Sequence, residues 1–547
     1  MSRDLAFMTV AELAPLIRDR LVSPVELVNA QLERIASCDD VLRAFIHLDA
    51  DGARAQARAA EAEIVSGSYR GPLHGITVAH KDIIDVLGMP TTAASRVIEP
   101  RVAAEDSTVS ARLKAAGAIC LGKLNLVEFA SGSMGVYGFA RNPWNLSAFP
   151  GGSSSGSGAA LAAGLSTLAT GTDTGGSVRN PSCFCGLAGM RATYGRVSRH
   201  GCIPLSWSQD SIGPMGRGVA DIAMMLEAIA GIDRRDHTSV GRPVPDFTAE
   251  LNRGLEGIRI GIPDSFFLVD LDPEVDAAVH AAIRQLEALG AELKPVSLPA
   301  AEYGPAASWI IAYSESFVIH KPWFEAKAHD YTPAFYHKIA AAGLSSAEDR
   351  IVSQQLRQVV TREFLNAFRD VDVIATPTSR TLASQPSRAI AGRRNLPWGA
   401  EMTSLTRPIS LTGFPSLSVP IGFARDNTPM GMQLISRPWE EAIALRTAHA
   451  YEQSTSWHQA RPPEFPDVIP PRFGEDPAPK EHAPTDSPIT PGWVMDMARL
   501  LGYRFVTEED AGEIASLLAP VKQQLAAARG VLKLDIEPVT RPAGLPW

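Results

Sequence analysis

Residues 150–186 read PGGSSSGSGAALAAGLSTLATGTDTGGSVRNPSCFCG, and two glycine-serine clusters in this stretch govern how the rest of the chain is read. The first, residues 151–157, runs without a break into AALAA at 159–163. Side chains this small let backbones approach closely, so the run predicts a loop packed on the start of a buried helix and not a flexible spacer. The second, Thr172-Asp-Thr-Gly-Gly-Ser177, sets turn-forming glycines before a serine. Such a turn can aim several N–H groups at one oxygen, which is what an oxyanion hole requires.

Three familiar motifs match here in part, and each lacks its context. Gly152-Ser-Ser-Ser-Gly156 satisfies G-x-S-x-G with Ser154 at its centre, but the preceding residues 145–150 are turn-like where a nucleophile elbow needs a strand. Asp173-Thr174-Gly175 resembles the aspartic-protease loop, whose chemistry needs a second carboxylate loop that the chain lacks. Gly156-Ser157-Gly158 is followed by Leu161 where a dinucleotide fingerprint wants glycine.

On either side the chain alternates helix-like and strand-like stretches. Residues 9–37 carry apolar positions at helical spacing, with Ser23 as N-cap before Pro24. Residues 76–79 form a short β-rich run ending at Lys81, and residues 118–122 form another after the helix-like 107–116. Residues 257–298 repeat the pattern as strand, helix and strand. This alternation predicts an α/β fold with a mixed sheet. Residues 461–492 hold ten prolines among polar residues, a composition that builds no core. The expected organisation is therefore a catalytic domain over 1–460, a Pro-rich linker over 461–492 and a helical extension over 493–547. Within the extension a capping box at Thr507–Asp510 opens a helix that carries Ile514, Leu517, Leu518, Val521 and Leu525 on one face.

The chain has 547 residues and a net charge of -9, which offers no basis for a polybasic nucleic-acid or membrane contact. No apolar run reaches the roughly 18 residues of a membrane span, and the N-terminus lacks a signal-peptide pattern, so a cytoplasmic location is expected. Five cysteines do not make a disulfide framework; Cys183 and Cys185 form C-x-C without the partners of a zinc site. No metal or cofactor is expected.

The stretch 150–186 resembles the signature of the amidase signature family, and the likeness extends over roughly residues 5–460. GITVAHKDIIDVLGMPTT (75–92) is similar to the family's lysine segment. GKLNLVEFA (122–130), GRVSRHGCIPLSWSQDSIGPM (195–215), TRPISLTGFPSLSVPIGF (406–423) and GMQLISRPWEE (431–441) follow in family order. The resemblance implies a large mixed, mainly parallel sheet flanked by helices, with the C-terminal helical extension appended. It implies Ser177 as nucleophile, Ser153 as the proton relay held by a cis peptide, and Lys81 as base. It also implies an oxyanion hole from the N–H groups of Thr174, Gly175, Gly176 and Ser177, and a supporting polar shell at Asp173 and Arg179. A serine hydroxyl needs a base to become a nucleophile, and lysine is a base only when neutral, so Lys81 must be buried. Ser154, Ser155 and Ser157 read as caps and loop hydrogen-bonders. His80 neighbours Lys81 but faces away by strand alternation, and no Ser-His-Asp set is supported. Asn180, Ser182 and Arg191-Ala192 depart from the commoner family pattern.

The implied function is an amidase-type hydrolase acting on carbon–nitrogen bonds other than peptide bonds: an amidohydrolase of a small amide, anilide, urea or carbamate, working through an acyl-enzyme. The alternative is a glutamine-hydrolysing, ammonia-supplying subunit of a tRNA-dependent amidotransferase. Leu205-Ser-Trp-Ser-Gln-Asp210 looks like the hydrolytic branch, whereas residues 502–522 and 534–542 weakly resemble the amidotransferase's small C subunit and, equally, the small helical partners of some bacterial urea-type amidases. The partner expected is a small-molecule amide-type substrate, with no nucleic acid and no membrane, and with homodimerisation left open. Residues 131–139, those near Trp207, and parts of 310–325 and 398–412 are expected to line the pocket. Met134, Tyr137 and Trp207 are expected to bind substrate, and with Phe139 they favour an apolar or aromatic group.

Overall fold

Polar residues placed just before apolar-periodic runs fix where the first helices start. Thr9 and Ser23 each exchange hydrogen bonds with the glutamate three residues on, opening helices Val10–Arg18 and Pro24–Leu42. The structure, a computed structural model, describes residues 5–99, 101–132, 135–384, 400–465 and 487–532. The expected substrate-binding Met134 lies outside the described residues.

The strands assemble into one mixed sheet of eleven. In sheet order they are 45–48, 119–124, 77–81, 168–173, 211–216, 188–191, 416–423, 429–436, 373–377, 259–263 and 292–296. Parallel pairs join 77–81 to 119–124 and 168–173, and 259–263 to 292–296 and 373–377. The other six pairs are antiparallel, so the parallel part is smaller than a mainly parallel sheet would have. Short returns account for part of this: 416–423 and 429–436 are joined as a hairpin, which forces antiparallel pairing.

Both faces of the sheet are covered. Along 77–81 successive side chains enter opposite cores, Val78 on one face and Ala79 on the other. Leu168 and Ala169 alternate the same way. Helix Ser155–Ala162, built from the small-residue run, is buried along its whole length. A Cβ on its Gly156 would stand 2.5 Å from the Asn125 amide nitrogen, so glycine is required by close approach. Among the described residues no helix is long and apolar enough to cross a membrane.

After residue 487 come two helices, Pro491–Leu500 and Glu508–Ala528; the second lies on helices Gly304–Lys327, Pro333–Gly343 and Ala347–Ala367, and the first packs on the second. The first begins at Pro491, just inside the stretch read as linker. The second opens on the Thr507–Asp510 capping box, and His337 Nε2 meets Asp510 Oδ1 at 2.9 Å. Phe505 stacks on Phe324 with ring centroids 5.2 Å apart, and Lys522 pairs with Asp349 at 3.0 Å. Burial predicts where this docking is held. Leu518, fully buried, should cost about 2–5 kcal/mol on replacement by alanine. Leu500, 77% exposed, should change stability by no more than about 0.5 kcal/mol. Urea unfolding of the two variants separates them; equal losses would mean that the extension does not share the folded core.

Candidate active site

Two parallel neighbours carry the chemistry to one edge of the sheet. In strands 77–81 and 168–173 the register sets His80 beside Thr170, so Lys81 and the turn after Asp173 emerge at the same carboxyl end. Open α/β sheets bind ligands at that end.

Lys81 is fully buried. Its Nζ lies 2.7 Å from Ser153 Oγ and 2.8 Å from Thr172 Oγ1. Burial, which disfavours charge, pushes its ammonium down to about 7, against the smaller pull of Cys202, Asp210 and Asp173. The adjacent Asp82 does not hold the proton on Lys81, because Lys123 pairs with Asp82 at 2.9 Å inside the same core. His80 is also buried and is lowered to about 3 by burial and by Lys123, so it is neutral at physiological pH. Its Nδ1 lies 3.3 Å from Thr170 Oγ1.

The peptide Gly152–Ser153 is cis. Ser154, centre of the G-x-S-x-G match, is fully buried and its Oγ accepts a hydrogen bond from the Thr172 N–H at 3.3 Å. Ser157 Oγ donates to Thr170 O at 3.0 Å. Both tie the helix Ser155–Ala162 to the neighbouring strand. Ser154 N–H reaches Ser177 O at 3.3 Å, which brings the two glycine-serine clusters together. From residue 153 to residue 198 every residue is buried except Ser177. A group approaching from solvent meets that serine first.

The turn before Ser177 is braced from beneath. Asp173, fully buried, accepts from Arg179 Nε and Nη2 at 3.0 Å each and from Ser410 Oγ at 3.1 Å. Burial alone would raise its carboxyl, but Arg179 and Arg191 hold it well below the usual carboxylate range. Arg191 also donates to the Asp173 carbonyl and to Gln209 O at 2.9 Å. Gly176 N–H donates to Asp173 Oδ1 at 2.9 Å, so of the four expected oxyanion donors this one is already engaged. Thr174, Gly175 and Ser177 N–H have no hydrogen bond among the described residues. Asp210 accepts from Thr174 Oγ1 at 2.5 Å and from the N–H groups of Leu205 and Ser206, fixing the next loop to the turn.

Trp207 is 47% exposed and lines a cavity of about 330 Å³ that reaches Thr172, Thr174 and Asp210. Tyr137 lies at the surface and does not line this cavity. The cysteines are all unpaired; burial pushes Cys183 up to about 12, which makes it a poor nucleophile. Sequence reasoning gave no individual role to Thr172, Asp210, Tyr313 or Arg407, although Tyr313 and Arg407 fall in the stretches 310–325 and 398–412 expected to line the pocket. For Thr172 a signal existed: Thr170 and Thr172 alternate along one strand and present hydroxyls to one face. Tyr313 and Arg407 come from segments far along the chain, and only folding brings them near Gly175.

The amidase family model matches residues 26–445. The A subunit of a glutamyl-tRNA(Gln) amidotransferase from Roseiflexus castenholzii is 40% identical over 483 residues, covering 83% of this chain and 97% of its own. The solved structure of the A subunit of the glutamyl-tRNA(Gln) amidotransferase from Thermotoga maritima superposes with TM-score 0.69 at 32% identity, over 82% of this chain and 95% of that one. A protein from a complex described as vestigial, which reveals the evolutionary origins of an s-triazine catabolic enzyme, superposes with TM-score 0.76 at 32% identity, over 82% and 98%. These findings correct one expectation. A small-molecule amide as sole partner, with no nucleic acid, does not stand beside relatives that are named as subunits of a tRNA-linked enzyme. Net charge, on which that exclusion rested, governs non-specific attraction by the isolated chain and says nothing of membership in an assembly.

Proposed function

The chain belongs to the amidase family, and from that premise we propose that it hydrolyses the side-chain amide of glutamine and supplies ammonia within a tRNA-dependent amidotransferase assembly. The observation that carries the hydrolytic part is the buried Lys81–Ser153 contact beneath the solvent-facing Ser177. The glutamine part is supported by the likeness to amidotransferase A subunits over nearly their whole length.

The steps follow from the residues present. Neutral Lys81 takes a proton from Ser153 Oγ, which takes one from Ser177 Oγ as that oxygen bonds to the amide carbon. The N–H groups of Thr174, Gly175 and Ser177 face the developing oxyanion. Its collapse breaks the C–N bond while the relay returns the proton to the nitrogen, which leaves as ammonia. Water then attacks the acyl ester by the same relay and releases glutamate and the free Ser177 hydroxyl. The five unpaired cysteines support a reducing compartment, the cytoplasm.

Because the base is the neutral form of a group at about 7, kcat/KM should rise about tenfold per pH unit below that value and level off above it. A flat profile through that range would remove Lys81 from the base role. Ammonia release from glutamine, and labelling by a fluorophosphonate, should both be lost in Ser177→Ala. Labelling retained in that variant would disprove the nucleophile. Labelling without glutamine turnover, with or without partner subunits, would leave the serine chemistry standing and overturn the glutamine reading.

A further inference from the structure

A cluster of cationic and hydroxyl groups stands beside the nucleophile turn, and the mechanism above does not use it. Arg407 lies over Gly175, close enough that a Cβ there would stand 3.2 Å from Arg407 Cζ. Its Nη2 is 3.4 Å from Tyr313 Oη, and its guanidinium carbon is 5.8 Å from the Tyr313 ring. Tyr313 Oη meets Ser131 Oγ at 2.5 Å, and Lys338 Nζ donates to Ser131 O at 2.8 Å. Among the described residues neither Arg407 nor Lys338 has a carboxylate partner; their contacts are hydroxyls and a carbonyl. Burial alone would raise the Tyr313 hydroxyl, yet Lys338, Arg407 and the Ser131 hydrogen bond bring it down to about 8, which reports the positive field in this corner.

Two partly buried cations without a counter-ion call for an anion. We infer that Arg407, Tyr313 and Lys338 form a subsite for a carboxylate on the amide substrate, with Arg407 as its principal ligand. Spacing limits the substrate further. Gly175 and Ser177 are two residues apart, a span of no more than about 7 Å. A carboxylate at Arg407 is thus joined to the carbonyl at Ser177 by a short chain, as in a monoamide of a short dicarboxylic acid. An arginine fork suits a carboxylate in two-point contact. This corner therefore selects a charged acyl half where the sequence pointed to an apolar or aromatic one.

The inference rests on the amide-hydrolysing reading of the Ser177 site, and its test uses a measurement that needs no turnover. Glutaramate and butyramide, which differ by one carboxylate, are titrated by calorimetry into the full-length Ser177→Ala protein. Glutaramate should bind at least about tenfold more tightly, the effect of one charged hydrogen-bonded contact. Adding Arg407→Met should erase that preference, and Arg407→Lys should keep part of it. Lys338→Met, farther from the nucleophile turn, should narrow the preference to a lesser degree, and it serves if Arg407→Met does not fold. Equal affinities for the two amides, or no binding of glutaramate, overturn the subsite. Failure of the catalytic reading appears elsewhere, as fluorophosphonate labelling that survives Ser177→Ala.

Discussion

Replacing Lys81 by methionine should lower kcat by about 100- to 10,000-fold, the range spanned by removal of a general base. The same change should leave the protein as stable as before, or more so. Methionine fills a similar volume, and Lys81 occupies a fully buried site in which burial disfavours its charge. What is lost is the hydrogen-bonding nitrogen between Ser153 Oγ and Thr172 Oγ1. The rising limb of the pH–rate profile should vanish with it, a readout that a purely structural lysine would not move. Thermal unfolding and a pH series on one variant separate the two roles. A variant that unfolds early yet keeps its pH limb would mean that Lys81 supports the fold and another group is the base.

The second large effect concerns stability. Asp173→Ala should destabilise the protein by about 3–5 kcal/mol, because removing one member of a buried ion pair strands the other. Here two arginines are stranded: Arg179 and Arg191 are both fully buried, and each donates to Asp173. The Gly176 and Val178 N–H groups lose their acceptor as well. Denaturant unfolding gives the number, and a loss below about 1 kcal/mol would mean that Arg179 is satisfied by Gln433, Ser410 and Thr406 alone. The turn that carries Ser177 hangs on the same carboxylate, so the surviving folded fraction should also label more slowly with a fluorophosphonate.

Much of the framework was legible because its signals are local. Ser23 before Pro24, the β-rich run ending at Lys81, the small-residue helix after 154 and the capping box at Thr507 depend on neighbours a few residues away. The pairing of strands was less so: six of the ten pairs are antiparallel, most of them between strands that are not consecutive in the chain, and no local pattern encodes which strands meet. The brace on the extension was likewise invisible. Phe324, His337 and Asp349 look ordinary in sequence, and each becomes meaningful only against Phe505, Asp510 and Lys522.

The same division runs through the site. By itself the sequence determined that two glycine-serine clusters form a buried loop and a turn rich in N–H groups, and family likeness chose Ser177, Ser153 and Lys81 from among many serines and lysines. Tertiary structure decided the rest. It set Lys123 against Asp82, leaving Lys81 without a carboxylate partner among the described residues; it engaged Gly176 N–H with Asp173; and it carried Tyr313 and Arg407 across more than a hundred residues to Gly175. The physical reason is that protonation state and charge complementarity depend on burial and on distances of a few ångströms between groups remote in sequence, which only the folded chain fixes.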